Sequence, residues 1–363
     1  MKNIDELLAK VTKTGASDLH LKVGSPPMVR LDGELMPMEG ESQCTPEDTK
    51  DYAASLMTEK QIRRFSENNE IDFAYSAPDV GRYRINVYRQ RGAISIALRQ
   101  VVTTVPNFHD LNLPESVQKL ALEPRGMVLV TGTTGSGKTT TLAAMIDHIN
   151  KSVRKHIVTI EDPIEILHKD HKCIVNQREV GLDTENYGTA LKYVLRQDPD
   201  IILIGEMRDQ ETVRTALTAA QTGHFVLSTL HTIDVTETIN RIIDFFPLYQ
   251  QKQVRIMLAG SMRGIISQRL LPRADGVGRV PAVEVMRMTG RIKDMVLDAT
   301  QTHGIRQAVQ EGDYYGMQTF DQSLLDLFKK GLVNYEDASA IASSPHDFRL
   351  MLQAAGYQVG QSD

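Results

Sequence analysis

Over the first hundred residues the spacing of apolar positions switches between helical and alternating. Ile4, Leu7, Leu8 and Val11 recur at three- and four-residue intervals and predict an amphipathic helix over 3–14. From Asp18 the chain alternates through Leu19, Leu21 and Val23 as a strand does, until Gly24-Ser25-Pro26-Pro27 interrupts it. Val29-Arg30-Leu31 and Glu34-Leu35 flank Asp32-Gly33, a pair suited to a type I′ turn, and so predict a hairpin. Residues 46–67 read as helical, opening at Thr45 with Pro46 at the first helical position. Asp72–Tyr75, Gly81–Arg89 and Ala93–Val101 alternate again. Residues 1–101 are therefore expected to form a small α+β domain.

Residues 102–114 contain Pro106 and Pro114, few apolar residues and no clear period, and are expected to be a linker. Beyond them the pattern changes. Met127-Val128-Leu129-Val130, Ile157-Val158-Thr159-Ile160, Ile201-Ile202-Leu203-Ile204 and Phe225-Val226-Leu227-Ser228 are short apolar runs separated by helical stretches. Strands buried on both faces of a parallel sheet have this appearance, so residues 115–363 predict a doubly wound α/β domain. From about residue 236 the periods are mostly helical. A helical C-terminal subdomain is expected from about 290, containing Met317–Lys330 and Tyr335–Ala342.

A length of 363 residues exceeds one ordinary core and agrees with two domains. No apolar run approaches the roughly 20 residues of a membrane span. Met1-Lys2-Asn3-Ile4-Asp5-Glu6 has no apolar h-region, so no signal peptide is expected. Cys44 and Cys173 are too few for a disulfide framework or a zinc site, which points to a reducing cytoplasm. The formal net charge of −5 counts against a surface that grips nucleic acid everywhere, while leaving room for a local basic groove.

Gly132-Thr133-Thr134-Gly135-Ser136-Gly137-Lys138-Thr139 matches the P-loop pattern Gly-x-x-x-x-Gly-Lys-[Ser/Thr]. By accident such a match arises in roughly 1 chain of this length in 100. Here it also follows a predicted strand and opens a predicted helix at Thr140. Its glycines let successive amides point at phosphate oxygens, and the helix N-terminus adds positive partial charge. Lys138 is expected to neutralise the β- and γ-phosphates of ATP, and the Thr139 hydroxyl to coordinate Mg²⁺.

Hydrolysis needs more than binding: an acid to position water, and charge stabilisation in the transition state. Three clusters are candidates. Glu161 and Glu165 lie in Ile160-Glu161-Asp162-Pro163-Ile164-Glu165, directly after an apolar strand, where ligands of parallel sheets sit. The alternative is a solvated acidic turn. Glu206 ends the apolar strand 201–204 as a Walker B acid does, with Gly205 in place of the usual Asp. It is the best candidate to orient or deprotonate the attacking water, against the alternative of an acid simply paired with Arg208. Metal would then be held mostly by Thr139 and water. His224 and His231 flank the apolar run 225–228, and at least one is expected to sense the γ-phosphate. A lone histidine is more often structural. Positive charge could come from Arg82, Arg84, Arg89, Arg91 or Arg99, and an arginine finger is worth about 10³–10⁵ in rate. Spacing alone does not select among the five.

These motifs together resemble the type IV pilus retraction ATPases, the PilT family within the larger secretion ATPase superfamily. The resemblance runs nearly end to end. It covers Gly15-Ala16-Ser17-Asp18-Leu19-His20-Leu21, the P-loop, an "Asp box" at Thr159–Glu165, Gly205-Glu206-Met207-Arg208-Asp209, a "His box" at Thr222–His231, Arg241-Ile242-Ile243-Asp244 and Gln268-Arg269-Leu270-Leu271-Pro272. It implies a homohexamer whose protomers have a PAS-like N-terminal domain and a RecA-like C-terminal domain, with ATP between them. By motif position Arg84 and Arg99 match the family's nucleotide-contacting arginines, and Glu206 its catalytic glutamate. Gly205 is normal in the family. The resemblance also implies a motor docked at the cytoplasmic face of the inner membrane through a platform protein, drawing pilin out of the pilus.

Assembly-type relatives usually carry a longer N-terminal extension and a four-cysteine zinc motif; two cysteines exclude that motif and favour retraction. Retraction ATPases often carry Ala-Ile-Arg-Asn-Leu-Ile-Arg-Glu-Gly-Lys. Gly304-Ile305-Arg306-Gln307-Ala308-Val309-Gln310-Glu311-Gly312-Asp313 keeps Ile-Arg and Glu-Gly but not the basic end, which raises an accessory retraction paralogue as an alternative. A nucleic-acid translocase on the same core would show DNA-stimulated turnover, and net charge weighs against it. A nucleotide-gated scaffold without turnover is opposed by the intact Lys138, Thr139 and Glu206.

Overall fold

The computed structural model describes residues 4–31, 33–78 and 80–358. The chain divides into two compact units, Met1–Thr103 with Glu165–Leu167, and Thr104–Ile164 with His168–Asp363.

The first unit holds α1 (Ile4–Thr14), β1 (Asp18–Lys22), β2 (Met28–Leu31), β3 (Glu34–Pro37), α2 (Pro46–Leu56), α3 (Glu59–Asn68), β4 (Glu70–Ala77), β5 (Gly81–Gln90) and β6 (Ala93–Gln100). Its sheet runs β3-β2-β1-β6-β5-β4, antiparallel throughout. Leu31 pairs with Glu34, as a two-residue hairpin requires; Asp32 of the expected turn, like Asn3 of the expected first helix, lies outside the described residues. Leu8 of α1 shares a core with Leu19, Val87, Ile96 and Leu98. Tyr83, also buried there, hydrogen-bonds Thr12 Oγ1 at 2.6 Å, so its hydroxyl has a partner where water is excluded.

The helical stretch expected over 46–67 is divided into two helices. Thr58 starts a new one: its backbone amide donates to Gln61 Oε1 at 2.8 Å while Gln61 N donates back to Thr58 Oγ1 at 3.4 Å. This capping box satisfies two amides at the helix start and fixes extended backbone at Thr58. The Thr-x-x-Gln signal is in the sequence; apolar spacing alone runs across it.

The second unit holds α4 (Glu115–Ala121), β7 (Gly126–Thr131), α5 (Lys138–Ser152), β8 (His156–Glu161), β9 (Ile174–Glu179), α6 (Tyr187–Val194), β10 (Ile201–Ile204), α7 (Gln210–Gln221), β11 (Phe225–Leu230), α8 (Val235–Asp244), α9 (Leu248–Ser261), β12 (Met262–Pro272), β13 (Arg279–Arg287), α10 (Gly290–Leu297), α11 (Ile305–Gln310), α12 (Phe320–Lys329), α13 (Tyr335–Ile341) and α14 (Pro345–Ala354). Its sheet runs β13-β12-β7-β11-β10-β8-β9, parallel except for β13. Every residue of β7, β10 and β11 is buried, which is why these strands read as continuous apolar runs.

The expectation of mostly helix after residue 236 is corrected by β12 and β13, which form a long antiparallel pair on the edge of the sheet. Both are buried on two faces, and an apolar run of that kind has no period that separates strand from buried helix. The C-terminal helices do follow. Leu324, Leu327, Phe348 and Leu352 pack with Leu271, Val280 and Ala282 of this pair. Strand β9 carries no apolar run because it lies at the sheet edge, where Asn176-Gln177-Arg178 supply polar residues. Within 104–114, Phe108 and Leu113 are buried with Val117, Leu120 and Ile149, so the proline-containing segment is anchored to the core of the second unit. Among the described residues no helix is long and apolar enough to cross a membrane.

Candidate nucleotide-hydrolysis site

Strand β7 delivers the chain into the P-loop at Gly132. The backbone there has φ +143°, and a Cβ would lie 2.5 Å from both the Gln268 carbonyl oxygen and Ser136 Oγ, so no residue with a side chain fits. Lys138 opens α5 and is buried. Its Nζ donates to the carbonyls of Gly132 at 2.7 Å and Thr133 at 3.0 Å, drawing the loop closed around the ammonium. Burial pushes the Lys138 pKa down, and the negative charge of Glu206 opposes this. Thr133, Thr134 and Gly135 line the exposed crest of the loop, with Gly137 and Thr140 half-buried and Thr139 exposed at the start of the helix. Ser136 Oγ is buried with no hydrogen-bond partner. Such an orphan in a glycine-rich cradle fits an oxygen-rich ligand that would complete it.

Gln268, which motif resemblance named without a role, backs this loop from β12. Its carbonyl faces Gly132, and its side-chain amide donates to Thr141 Oγ1 at 2.9 Å. Chemical reasoning from sequence gives it no role because β12, buried on both faces, carries no alternating pattern in a region of mostly helical periods.

Strand β10 ends at Ile204, and Gly205 follows in a space closed from above. A Cβ on Gly205 would sit 2.9 Å from the Tyr187 hydroxyl and 3.2 Å from the Ile160 carbonyl. An aspartate at this position would have to displace the Tyr187 hydroxyl, and the next residue, Glu206, is the acid presented. Its Oε2 accepts from Arg208 Nε at 2.8 Å, and its Oε1 lies 3.3 Å from His231 Nε2. The hydrogen bond to Glu206 raises the Arg208 pKa, and Arg208 Nη1 also stands 3.6 Å from Asp162 Oδ2. Beside them Glu161 Oε1 accepts from Thr159 Oγ1 at 2.6 Å and from Gln177 Nε2 at 3.0 Å. Burial, reinforced by Asp162, pushes the Tyr187 hydroxyl pKa well above its ordinary value.

The P-loop, His231 and Glu206 thus follow the carboxyl ends of β7, β11 and β10, and Glu161 is the last residue of β8, four adjacent strands of one sheet. This is the edge where ligands of parallel sheets bind.

His224 lies elsewhere in the second unit, and Glu165, Arg84 and Arg99 belong to the first. His224 precedes β11, and Phe225 pairs with Gly126 at the start of β7. His224 is therefore at the amino edge, about 20 Å from His231 by the length of the strand. Its Nδ1 lies 3.1 Å from the Ala219 carbonyl and its backbone carbonyl accepts from Gly126, contacts that finish α7 and start β7. Within its own chain the length of β11 separates His224 from the P-loop. Glu165 is exposed in the strip 165–167 of the first unit, where Leu167 N donates to the Val102 carbonyl at 2.9 Å. Arg84 and Arg99 are also in the first unit, directly opposite each other on β5 and β6 and so on one face of that sheet. Arg99 Nε donates to Asp18 Oδ1 at 2.7 Å.

The model of the family described as "Type II/IV secretion system protein" matches residues 1–325. The type IV pilus retraction ATPase PilT of Pseudomonas aeruginosa is 44% identical over 95% of this chain and 100% of its own length. The type IV pilus ATPase PilU of the same organism is 42% identical over 96% of this chain and 91% of its own. A crystal structure of the pilus retraction motor PilT with bound ADP superposes with a TM-score of 0.87 at 46% identity, covering 96% of this chain and 99% of that one. The chain belongs to the PilT/PilU family of type IV pilus ATPases. It is a P-loop ATPase of that family and a homologue of the pilus retraction ATPase. PilT and PilU stand almost equally near, so overall identity does not divide the two. The antiparallel first unit and the RecA-like second unit with its C-terminal helices are the family's architecture.

Proposed function

We propose that this protein is the hexameric motor that powers pilus retraction, hydrolysing ATP at the carboxyl edge of its second unit. The observation that carries this reading is the neighbourhood of Glu206: a half-buried carboxylate between Arg208 and His231, in electrostatic reach of the P-loop lysine. Glu206 is the group that would orient and deprotonate water, His231 the group that would report on the γ-phosphate, and Glu161 an acid held ready by Thr159 and Gln177. Thr133 to Thr140 would hold the phosphates, with Lys138 leaving the loop carbonyls to meet them. The exposed hydroxyl of Thr139 suits Mg²⁺ on the nucleotide; the ion supplies charge neutralisation at the phosphates. Roles for Arg84 and Arg99 at the nucleotide, and for Glu165, rest on motif position. Domain motions around the ring would act on an inner-membrane platform protein from the cytoplasmic side, without direct contact to nucleic acid.

An accessory role beside a second motor is favoured by one feature, Gly304–Asp313, where the basic end of the retraction segment is missing. Two measurements test the whole reading. Glu206→Gln should bind ATP and turn it over about 10²-fold more slowly or worse; equal rates would remove the site assignment. Deletion of the gene should leave cells with pili that do not shorten if this is the main motor. Residual, weaker retraction would indicate the accessory one, and bald cells an assembly motor.

A further inference from the structure

Glu284 lies in β13 with 4% of its surface exposed, on a strand whose neighbours Val283 and Val285 are core residues. Its Oε2 accepts from the backbone amide of Val235, the first residue of α8, at 2.9 Å. A buried carboxyl with this surrounding is unfavourable: burial pushes its pKa up to about 7 and Asp234 adds to that, while the Val235 amide, Arg306 and Arg269 oppose it. An apolar residue would suit the strand better. What the carboxyl provides is an acceptor for one of the helix-start amides that α8 cannot satisfy within itself.

The contact does not stand alone. Ser267 of β12 is opposite Glu284, and Thr131, the last residue before the P-loop, is opposite Ser267. Ser267 and Thr131 share a 2.8 Å hydroxyl hydrogen bond. Thr238 of α8 lies 3.5 Å from Thr131 Oγ1 and 2.7 Å from Thr232 Oγ1, and donates to the Asp234 carbonyl at 2.6 Å. Thr232 is the residue after His231. A buried polar chain therefore joins the base of the P-loop, the start of α8 and the turn that presents His231 to Glu206.

We propose that Glu284 is a positioning residue for hydrolysis, holding the Val235 amide so that the His231–Asp234 turn keeps His231 against Glu206. This rests on the roles given to Glu206 and His231 above. Glu284 itself touches neither nucleotide nor water. Losing its acceptor frees the start of α8, and the turn relaxes while the P-loop stays formed.

The test compares Glu284→Ala with Glu284→Gln, which keeps an acceptor oxygen of the same reach. Glu284→Ala should lower kcat at saturating Mg-ATP by about tenfold or more, with the affinity for a fluorescent ADP analogue within about threefold of wild type. Glu284→Gln should restore kcat to within about threefold. The proposal is overturned if Glu284→Ala keeps its kcat, if the glutamine variant loses as much as the alanine variant, or if ADP affinity falls in step with kcat. Should Glu284→Ala not fold, Glu284→Leu decides, since it removes the acceptor for the Val235 amide while keeping the buried volume filled. A drop in kcat of about threefold or more with unchanged ADP affinity supports the proposal, and an unchanged kcat overturns it. Glu206→Gln is measured alongside. If that variant stays active, the site assignment itself fails; if it is slow while Glu284→Ala is not, only the role of Glu284 fails.

Discussion

His231 Nε2 stands 3.3 Å from Glu206 Oε1, across the ends of two adjacent strands, while Arg208 holds the other carboxylate oxygen at 2.8 Å. Each oxygen of the proposed base has one such neighbour and keeps a further lone pair with which to accept a water.

That geometry makes His231 a partner of Glu206 rather than an independent group. His231→Ala and Glu206→Gln are each expected to slow turnover, the glutamate change by about 10²-fold or more, and the double variant to be little slower than Glu206→Gln. Steady-state ATPase rates of the three variants check this. Fully multiplicative losses would show that the two residues act separately.

Gly205 is closed in by Tyr187 and by the Ile160 carbonyl. Gly205→Asp, which rebuilds the usual Walker B acid, should destabilise the second unit by about 1–3 kcal/mol through overpacking. It should also lower activity by displacing Glu206. Denaturant midpoints and ATPase rates are the measurements. Pairing it with Tyr187→Phe removes the nearest atom and should recover part of the stability.

Glu284 gives stability a pH dependence of definite sign. Its folded pKa, about 7, is above the ordinary 4.5, so the folded state holds more protons than the unfolded one between those values. Stability from this group then declines as pH rises from about 4.5 through about 7, by about 3 kcal/mol in all. Glu284→Gln cannot titrate. Its stability relative to wild type should rise across that window and be level on either side, as urea unfolding at several pH values will show.

Asp18 behaves in the opposite sense. Burial raises its pKa, but the Ser17 hydroxyl and the Arg99 guanidinium more than offset this and hold it below the usual 3.8. The stabilisation is present above that pH and is lost as pH falls through the lower, folded value. Because Arg99 is largely exposed, Asp18→Asn should cost only about 1 kcal/mol near neutrality. The difference from wild type should vanish in strong acid, as thermal unfolding across pH can check.

Much of this molecule was written in local pattern. The amphipathic first helix, the Asp18 strand, the four buried apolar runs and the P-loop between a strand and a helix all depend on residues near one another in the chain, and each is found where its pattern placed it. Glu206 was legible for the same reason: an acid directly after an apolar strand falls at the carboxyl edge of a parallel sheet.

What local pattern could not supply was strand order and cross-chain company. Only the order β12-β7-β11-β10-β8 puts His231 beside Glu206 and sends His224 to the far edge, although the two histidines flank the same strand symmetrically in sequence. Only packing shows that Tyr187 fills the space an aspartate at 205 would need, that Gln268 backs the P-loop, and that Glu284 meets the first amide of α8. The physical reason is the same in each case. Periodicity and turn chemistry are set by neighbours within a few residues, whereas hydrogen-bond partners and excluded volume at this site come from chain segments dozens of residues apart, which meet only when the sheet closes its order.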